Sequence, residues 1–266
     1  MKKQTLHSIQ KLKECGEPIA ALTAYDSSFA KLISERGVEI ILIGDSLGMV
    51  MQGHQSTIPV SMDNMVYHTQ CVSNTNQGSW LIADMPYMSY ATESQTLQNA
   101  AKLMQAGANM VKVEGGQWLC SSIKKLFERG VPVCAHLGLT PQSVDALGGF
   151  KVQGRDESNA KQIIRDALAI EKAGASLLVL ECVPKDLATN ITQQLNIPTI
   201  GIGAGNQTDG QVLVMQDMLG INNDFRPKFV KNFFKYEYVS SIDDAITAYI
   251  SAVKDRSFPD DEHSFV

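Results

Sequence analysis

Gln105-Ala-Gly-Ala-Asn-Met-Val-Lys-Val-Glu114 and Lys172-Ala-Gly-Ala-Ser-Leu-Leu-Val-Leu-Glu181 repeat one pattern. Each opens on the last turn of an amphipathic segment, passes through glycine, and runs into a short apolar stretch that ends in glutamate. Glycine directly after a helical pattern reads as the left-handed residue that stops a helix. The apolar stretch reads as a strand. The repeating unit is helix, glycine cap, strand.

Working outward, stretches of strand character recur at 19–25, 38–45, 80–86, 109–114, 131–137, 176–182 and 197–203. Most are continuously apolar rather than alternating, the pattern of strands covered on both faces in a parallel sheet. Amphipathic segments at 27–37, 92–107 and 160–174 lie between them, and Thr92 with Gln95 resembles a capping box. An eighth strand fits at 212–215. Eight strand–helix units favour a (β/α)8 barrel over an open doubly wound sheet. The 201–205 run, GIGAG, falls late in the chain and lacks the acidic partner of a dinucleotide fingerprint. No linker separates a second domain. All 266 residues are therefore expected to form one barrel domain, with an N-terminal extension and a helical C-terminal segment over 228–254.

Composition narrows the function. Hydrophobic residues make up 44% and charged residues 19%, a globular balance. The net charge is −5, and the chain lacks the basic stripe of a nucleic-acid binder. Its densest basic cluster, 226–235, holds Lys228, Lys231 and Lys235 among aromatic residues and reads as a solvated helix face. Five dispersed cysteines without a CxxC argue against a disulfide framework or a zinc site, and Cys134 and Cys182 read as buried small hydrophobes. There is no apolar signal core and no apolar run of membrane-spanning length, so no membrane partner is expected and a cytoplasmic location is the default.

In such barrels the chemistry sits where strands end. Here the second ends in Asp45-Ser46, the third in Asp84, the fourth in Lys112-Val-Glu114, the fifth in His136 and the sixth in Glu181. A single buried carboxylate reads as an ion-pair partner. Four at equivalent strand ends would repel one another, and Lys112 alone does not balance them. A hard divalent cation is the natural complement, and all-oxygen donors favour Mg²⁺ over Zn²⁺. The glycine-containing loop after the second strand, 46–54, reads as either a lid or an ordinary connection. His54 and His68 have no ligand partners at short spacing and read as structural.

A resemblance then covers nearly the whole chain, from about Ala21 onward. Asp45-Ser-Leu-Gly-Met, Gln52-Gly-His54, Met110-Val-Lys-Val-Glu-Gly-Gly116, Cys134-Ala-His-Leu-Gly-Leu-Thr-Pro-Gln142, Lys151-Val-Gln-Gly-Arg155, Leu180-Glu-Cys-Val-Pro184, Ile200-Gly-Ile-Gly-Ala-Gly-Asn206 and Glu262-His-Ser-Phe265 resemble the ketopantoate hydroxymethyltransferase family. The resemblance implies a barrel of the phosphoenolpyruvate-mutase type and a Mg²⁺-dependent enzyme of pantothenate synthesis. The reaction it implies moves a one-carbon unit from 5,10-methylenetetrahydrofolate to 3-methyl-2-oxobutanoate, giving 2-dehydropantoate. It also implies a homo-oligomer, often a decamer. Asp45 and Asp84 resemble the metal ligands, with Glu114 joining through water. Ser46 and Lys112 resemble substrate contacts, Asp45, Asp84 and His136 line the same substrate site, and Glu181 resembles the general base. One departure is Gln216-Asp217, where the resemblance expects His-Asp.

The chemistry suits these residue types. An ion chelated by adjacent keto and carboxylate oxygens stabilises an enolate, and Lys112 adds positive charge where enolate charge develops. Glu181 lies between Leu180 and Cys182, apolar surroundings that strengthen a carboxylate as a base, and is expected opposite the metal ligands across the barrel. Two other readings are a mutase or C–C lyase of the same barrel superfamily and a silent keto-acid or folate binder. Those lyases usually carry a loop cysteine, absent from 46–60, and a silent binder is expected to have lost one of the five acidic and basic residues present here.

Overall fold

The computed structural model describes residues 3–221 and 226–266. Among them, β1 (Ile19–Thr23), β2 (Ile40–Ile43), β3 (Trp80–Asp84), β4 (Met110–Glu114), β5 (Val133–Gly138), β6 (Leu177–Glu181), β7 (Thr199–Ile202) and β8 (Gly210–Leu213) close into a parallel barrel in chain order. β1 pairs with β2 on one side and with β8 on the other. The helices are α1 (Leu6–Glu14), α2 (Ser27–Glu35), α3 (Leu47–Val50), α4 (Met62–Ser73), α5 (Glu93–Gln105), α6 (Cys120–Phe127), α7 (Val144–Leu147), α8 (Glu157–Ala173), α9 (Lys185–Gln194), α10 (Met215–Met218) and α11 (Ile242–Lys254).

The strands match the expected stretches with trimmed ends. β8 is displaced upstream, because Met215 already opens α10 and its N–H donates to Thr23 Oγ1 at 3.0 Å. The capping box of Thr92 and Gln95 is present on α5. Gly107 (φ 112°) and Gly174 (φ 109°) end α5 and α8 in the left-handed region, as the repeated pattern requires. α4 has no counterpart in the expected elements; Ser61 and Asn64 cap its start reciprocally.

Alternation along the strands sorts their side chains into two layers. Ala20, Leu22, Ile41, Val111, Ala135 and Leu178 pack outward in the main core beneath the helices. Ile19, Ala21, Ile40, Ile82, Met110, Cys134, Leu177 and Ile200 form a second cluster inside the barrel. α1 closes the N-terminal end of that interior. Leu6, Ile9 and Leu12 recur at three-residue spacing and pack against the inner cluster, with Ile9 fully buried. Burying one such side chain is worth roughly 1.5–3 kcal/mol. Lys13 pins the helix through an ion pair with Asp209 at 2.7 Å.

The C-terminal segment departs from expectation. Its helix begins only at Ile242, and the preceding stretch is irregular apart from a 3-10 turn at Phe233–Lys235. Apolar spacing there mimics a helix, but the aromatics serve a tertiary cluster in which Phe233 packs edge-on against Tyr236, Tyr249 and Phe258. The basic cluster is therefore not a solvated helix face. Lys231 pairs with Asp260 at 3.2 Å and lies over the rings of Phe233 and Tyr236, while Lys228 lies over the ring of Phe265. Among the described residues, no helix is long and apolar enough to cross a membrane.

Candidate active site

The alternation that points Met110 into the barrel also points Lys112 and Glu114 there. Likewise Ile82 leads to Asp84, Cys134 to His136, and Val179 to Glu181. Register then sets these side chains beside one another: Asp84 pairs with Lys112 across β3 and β4, and Glu114 with His136 across β4 and β5. Lys112 Nζ lies 3.0 Å from Asp84 Oδ1 and 3.6 Å from Glu114 Oε1. His136 Nδ1 lies 3.2 Å from Glu114 Oε1, and its Nε2 lies 3.3 Å from Glu181 Oε2 without the alignment of a hydrogen bond. Asp45, Asp84, Lys112, Glu114 and His136 are all buried. Glu181 keeps 14% of its side chain exposed, the opening a base needs to reach a substrate.

Asp45 follows Gly44 at the end of β2, where its backbone N–H donates to Asp84 Oδ2 at 3.1 Å. Its own Oδ2 accepts from Gln142 Nε2 at 2.8 Å. Ser46 Oγ and Tyr25 OH are 2.9 Å apart, so the end of β1 also reaches the site. At Gly138 (φ 93°) a β-carbon would collide with the Glu181 carbonyl, so glycine there lets β5 and β6 approach at the base. The next residue, Cys182, holds a left-handed backbone at φ 47°.

The charges perturb one another. Burial, followed by the neighbouring charges of Asp84 and Glu114, holds the Asp45 carboxyl well above the usual carboxylate range. Burial alone would lower Lys112, but Asp84, Glu114 and Asp45 outweigh it and keep the ammonium charged. Burial would raise Glu114, yet His136 and Lys112 bring it below its ordinary value. His136 is pushed up to about 9: burial and Lys112 oppose its charge, and Glu114 together with contacts to Glu114 and Glu181 prevails. At neutral pH the imidazole is thus a cation held between two acids.

This donor set fits a hard divalent ion. Asp84 Oδ1 is buried and has no aligned hydrogen bond, and Asp45 is driven toward its neutral form first by burial and then by the charges of Asp84 and Glu114, which Lys112 offsets only in part. Both are oxygen donors on adjacent strand ends. Among the described residues no group of three His, Cys, Asp or Glu side chains is placed to hold a metal ion, so any ion here would have an incomplete protein shell. An incomplete protein shell is what Mg²⁺ accepts, since it commonly binds one or two carboxylates and fills its octahedron with water and substrate. Glu114 has Oε1 facing His136 and Lys112 and Oε2 accepting from the Gln142 N–H at 3.0 Å, so both of its oxygens already have protein partners.

The structure gathers Asp45, Ser46, Asp84, Lys112, Glu114, His136 and Glu181 at one end of the barrel. Glu181 does face β2 across the barrel, but it is not isolated from the other acids, because His136 joins it to Glu114. Gln142 and Tyr90 are site residues beyond those read from the sequence; Gln142 leaves a trace there as the last residue of the motif ending in Thr-Pro-Gln142, and Tyr90 falls in none of the motifs. The loop after β2 starts with α3, whose Leu47 and Gly48 are buried, so its first turn belongs to the packed body. His68 hydrogen-bonds the Tyr25 carbonyl at 2.7 Å, a structural contact. All five cysteines are free, with Cys134 and Cys182 buried. Gln216 is buried, and its Nε2 makes a weak contact at 3.5 Å with Met51 Sδ.

Comparison with known proteins bears on the family and the fold. A model of the ketopantoate hydroxymethyltransferase family matches residues 3–261. The 3-methyl-2-oxobutanoate hydroxymethyltransferase of Marinobacter nauticus is 58% identical over 261 residues, 98% of each chain. That of Colwellia psychrerythraea is 59% identical over 265 residues, 100% of each chain. Among solved structures, phosphonopyruvate hydrolase aligns over 83% of this chain and 84% of its own, with a TM-score of 0.63 at 15% identity. 2,3-Dimethylmalate lyase, of the PEP mutase/isocitrate lyase superfamily, aligns over 81% and 82%, with a TM-score of 0.61 at 15% identity. At such identities the likeness concerns the fold, and it is the phosphoenolpyruvate-mutase type of (β/α)8 barrel read from the sequence.

Proposed function

The chain belongs to the ketopantoate hydroxymethyltransferase family, and from that premise we propose that it moves a one-carbon unit from 5,10-methylenetetrahydrofolate to 3-methyl-2-oxobutanoate, giving 2-dehydropantoate for pantothenate synthesis, with Mg²⁺ as its ion. Membership makes it an enzyme that transfers a hydroxymethyl group. The observation that carries the finer reading is the pairing of Asp84 and Glu114 with Lys112, with Asp45 hydrogen-bonded beside Asp84 and Glu181 beyond His136.

Asp45 and Asp84 would hold the ion directly and Glu114 through water, and when bound it supplies Lewis-acid polarisation to the substrate's keto and carboxylate oxygens. Ser46, braced by Tyr25, presents a hydroxyl to the substrate. Lys112 places a fixed positive charge where enolate charge develops. Glu181 removes the proton from C3, and the imidazolium of His136 holds that carboxylate in place. C3 then bonds to the methylene carbon of the folate donor, the bonds from that carbon to the two folate nitrogens break as the nitrogens take up protons (one from C3, one from water), and the remaining hydroxide of that water becomes the hydroxyl of the product. The same reading makes the protein a cytoplasmic homo-oligomer, a decamer, whose copy number sedimentation measures.

A coupled assay for 2-dehydropantoate, run with and without Mg²⁺, tests the function. Product is expected only with both the ion and the folate donor. Full turnover after exhaustive chelation would overturn the reading.

A further inference from the structure

Gln142, in the turn after β5, is a neutral residue whose side-chain amide nitrogen and backbone N–H each meet an acid of the site, and whose amide oxygen is held by Tyr90. It is 5% exposed. Nε2 donates to Asp45 Oδ2 at 2.8 Å and to the Met85 carbonyl at 2.9 Å. Its backbone N–H donates to Glu114 Oε2 at 3.0 Å. Oε1 accepts from the Tyr90 hydroxyl, which in turn accepts from the Glu114 backbone N–H at 3.3 Å. The orientation of the amide is forced. Turned over, Oε1 would face the Met85 carbonyl, an acceptor with no hydrogen to give, and the Tyr90 hydroxyl would lose the acceptor it now donates to. Asp45 Oδ1 takes no hydrogen bond among the described residues.

We propose that Gln142 is a positioning residue of the transfer. By tying down Asp45 Oδ2 it turns that carboxylate so that Oδ1 is the oxygen offered to the divalent ion. Through its backbone it also fixes Glu114 relative to Asp45. Tyr90 completes the device by locking the amide from behind. The inference rests on the reading of Asp45 as an ion ligand. Groups that orient a metal ligand from behind typically change metal affinity or activity about 10–100-fold when removed.

The test is calorimetric titration of the purified full chain with Mg²⁺, comparing wild type, Asp45→Ala, Gln142→Leu and Tyr90→Phe. Loss of deuterium from C3-deuterated 3-methyl-2-oxobutanoate is followed as a function of Mg²⁺. Gln142→Leu is expected to raise the Kd for Mg²⁺ by about 10–100-fold and to shift the Mg²⁺ dependence of exchange by the same factor, with most of the rate recovered at saturating ion. Tyr90→Phe is expected to move both in the same direction by a smaller factor. A merely structural glutamine would lower the melting temperature and leave the Kd where it was. If Gln142→Leu does not fold, Tyr90→Phe decides the matter, since it removes one hydroxyl and keeps the ring. A wild-type protein that takes up no Mg²⁺ overturns the ion reading and this inference together. Uptake that Asp45→Ala abolishes but Gln142→Leu and Tyr90→Phe leave unchanged overturns this inference alone.

Discussion

The two ends of the barrel interior are built from the same strands on opposite terms. At the N-terminal end, Ile19, Met110, Leu177 and Ile200 meet beneath Ile9 of α1. A void of about 10 Å³ lies among Ala21, Ile82, Cys134, Leu177 and Val179, and its wholly apolar lining offers a water no hydrogen-bond partner. Two to four residues further along the strands, Asp84, Lys112, Glu114, His136 and Glu181 occupy the same interior. The lower layer consists of groups that prefer to leave water. The upper layer consists of groups that prefer to keep it, and they remain because the lower layer and the outer helices hold the backbone in place. Backbone strain follows the same division. Among the described residues, Met88 (φ 58°) and Cys182 (φ 47°) follow β3 and β6 at the mouth, and the third non-glycine residue with positive φ, Arg256, lies beyond α11. Stability and chemistry should therefore separate by height in the barrel, and substitutions can break or sharpen that separation.

The largest effect is expected at the mouth. Glu181→Gln keeps the shape of the base and removes its basicity. Exchange of the C3 proton of the keto acid should fall by about 10²–10⁴-fold, the usual contribution of a positioned base. Mg²⁺ binding and the melting curve should stay close to wild type, since Glu181 is 14% exposed and is not assigned to the ion. Near-wild-type exchange with the ion bound would move the role to His136.

Leu177→Ala is the counterpart at the other end. Leu177 is fully buried in the inner cluster. Truncation should cost about 2–5 kcal/mol of unfolding free energy. Turnover per folded molecule below the melting transition should barely change. A large loss of kcat with stability intact would show that the two layers are coupled and sink the division.

Asp45→Asn should invert the usual sign. The carboxyl is held above its ordinary range by burial and by the charges of Asp84 and Glu114, so the folded state binds its proton more tightly than the unfolded chain does. The resulting penalty is absent below the ordinary carboxylate range and grows as pH rises through the folded value. At pH 7, without metal, Asn should therefore stabilise the protein, by on the order of 1–3 kcal/mol. The advantage should shrink toward pH 4 and reverse under saturating Mg²⁺, which the variant no longer holds. Chemical denaturation at the two pH values checks this, and a variant less stable than wild type in ion-free buffer at pH 7 would count against it.

The same contrast explains what could be read from the sequence. The lower layer is legible because continuous apolar stretches such as Leu177-Leu-Val-Leu180 announce strands buried on both faces. The acids are legible because a charge at the end of such a stretch is conspicuous. What joins them is not, since it arises from register: no local pattern in the sequence places His136 between Glu114 and Glu181. Gln142 escaped because a neutral amide in a turn carries no charge signal, and its importance lies wholly in contacts with three other βα loops. The stretch before α11 misled for the reverse reason. Its apolar spacing imitates a helix, while Phe233 answers to Tyr249 and Phe258, with Tyr236 packed on its edge, rather than to its own backbone.

The smallest effect tests the strain. Cys182 follows the proposed base in a left-handed conformation, with its N–H donating to the Ile202 carbonyl and its own carbonyl accepting from the Gln153 N–H, both at 2.9 Å. A non-glycine residue held there costs about 1–3 kcal/mol. Cys182→Ala keeps the strain and loses the buried thiol. Cys182→Gly loses the thiol and relieves the strain, at the expense of a more flexible unfolded chain. In an ordinary strand or helix glycine is the worse of the two by roughly 0.5–1 kcal/mol. Here the order should reverse, with the glycine variant more stable than the alanine variant by about 1 kcal/mol in urea unfolding. The same pair of substitutions at Cys134, within β5 at the bottom of the interior, should show the ordinary order. If alanine is the more stable at both positions, the turn after β6 is relaxed and strain does not distinguish the mouth from the base of the barrel. If glycine wins at Cys182 and exchange at C3 also slows a few-fold there, the left-handed turn is what holds Glu181 toward its substrate.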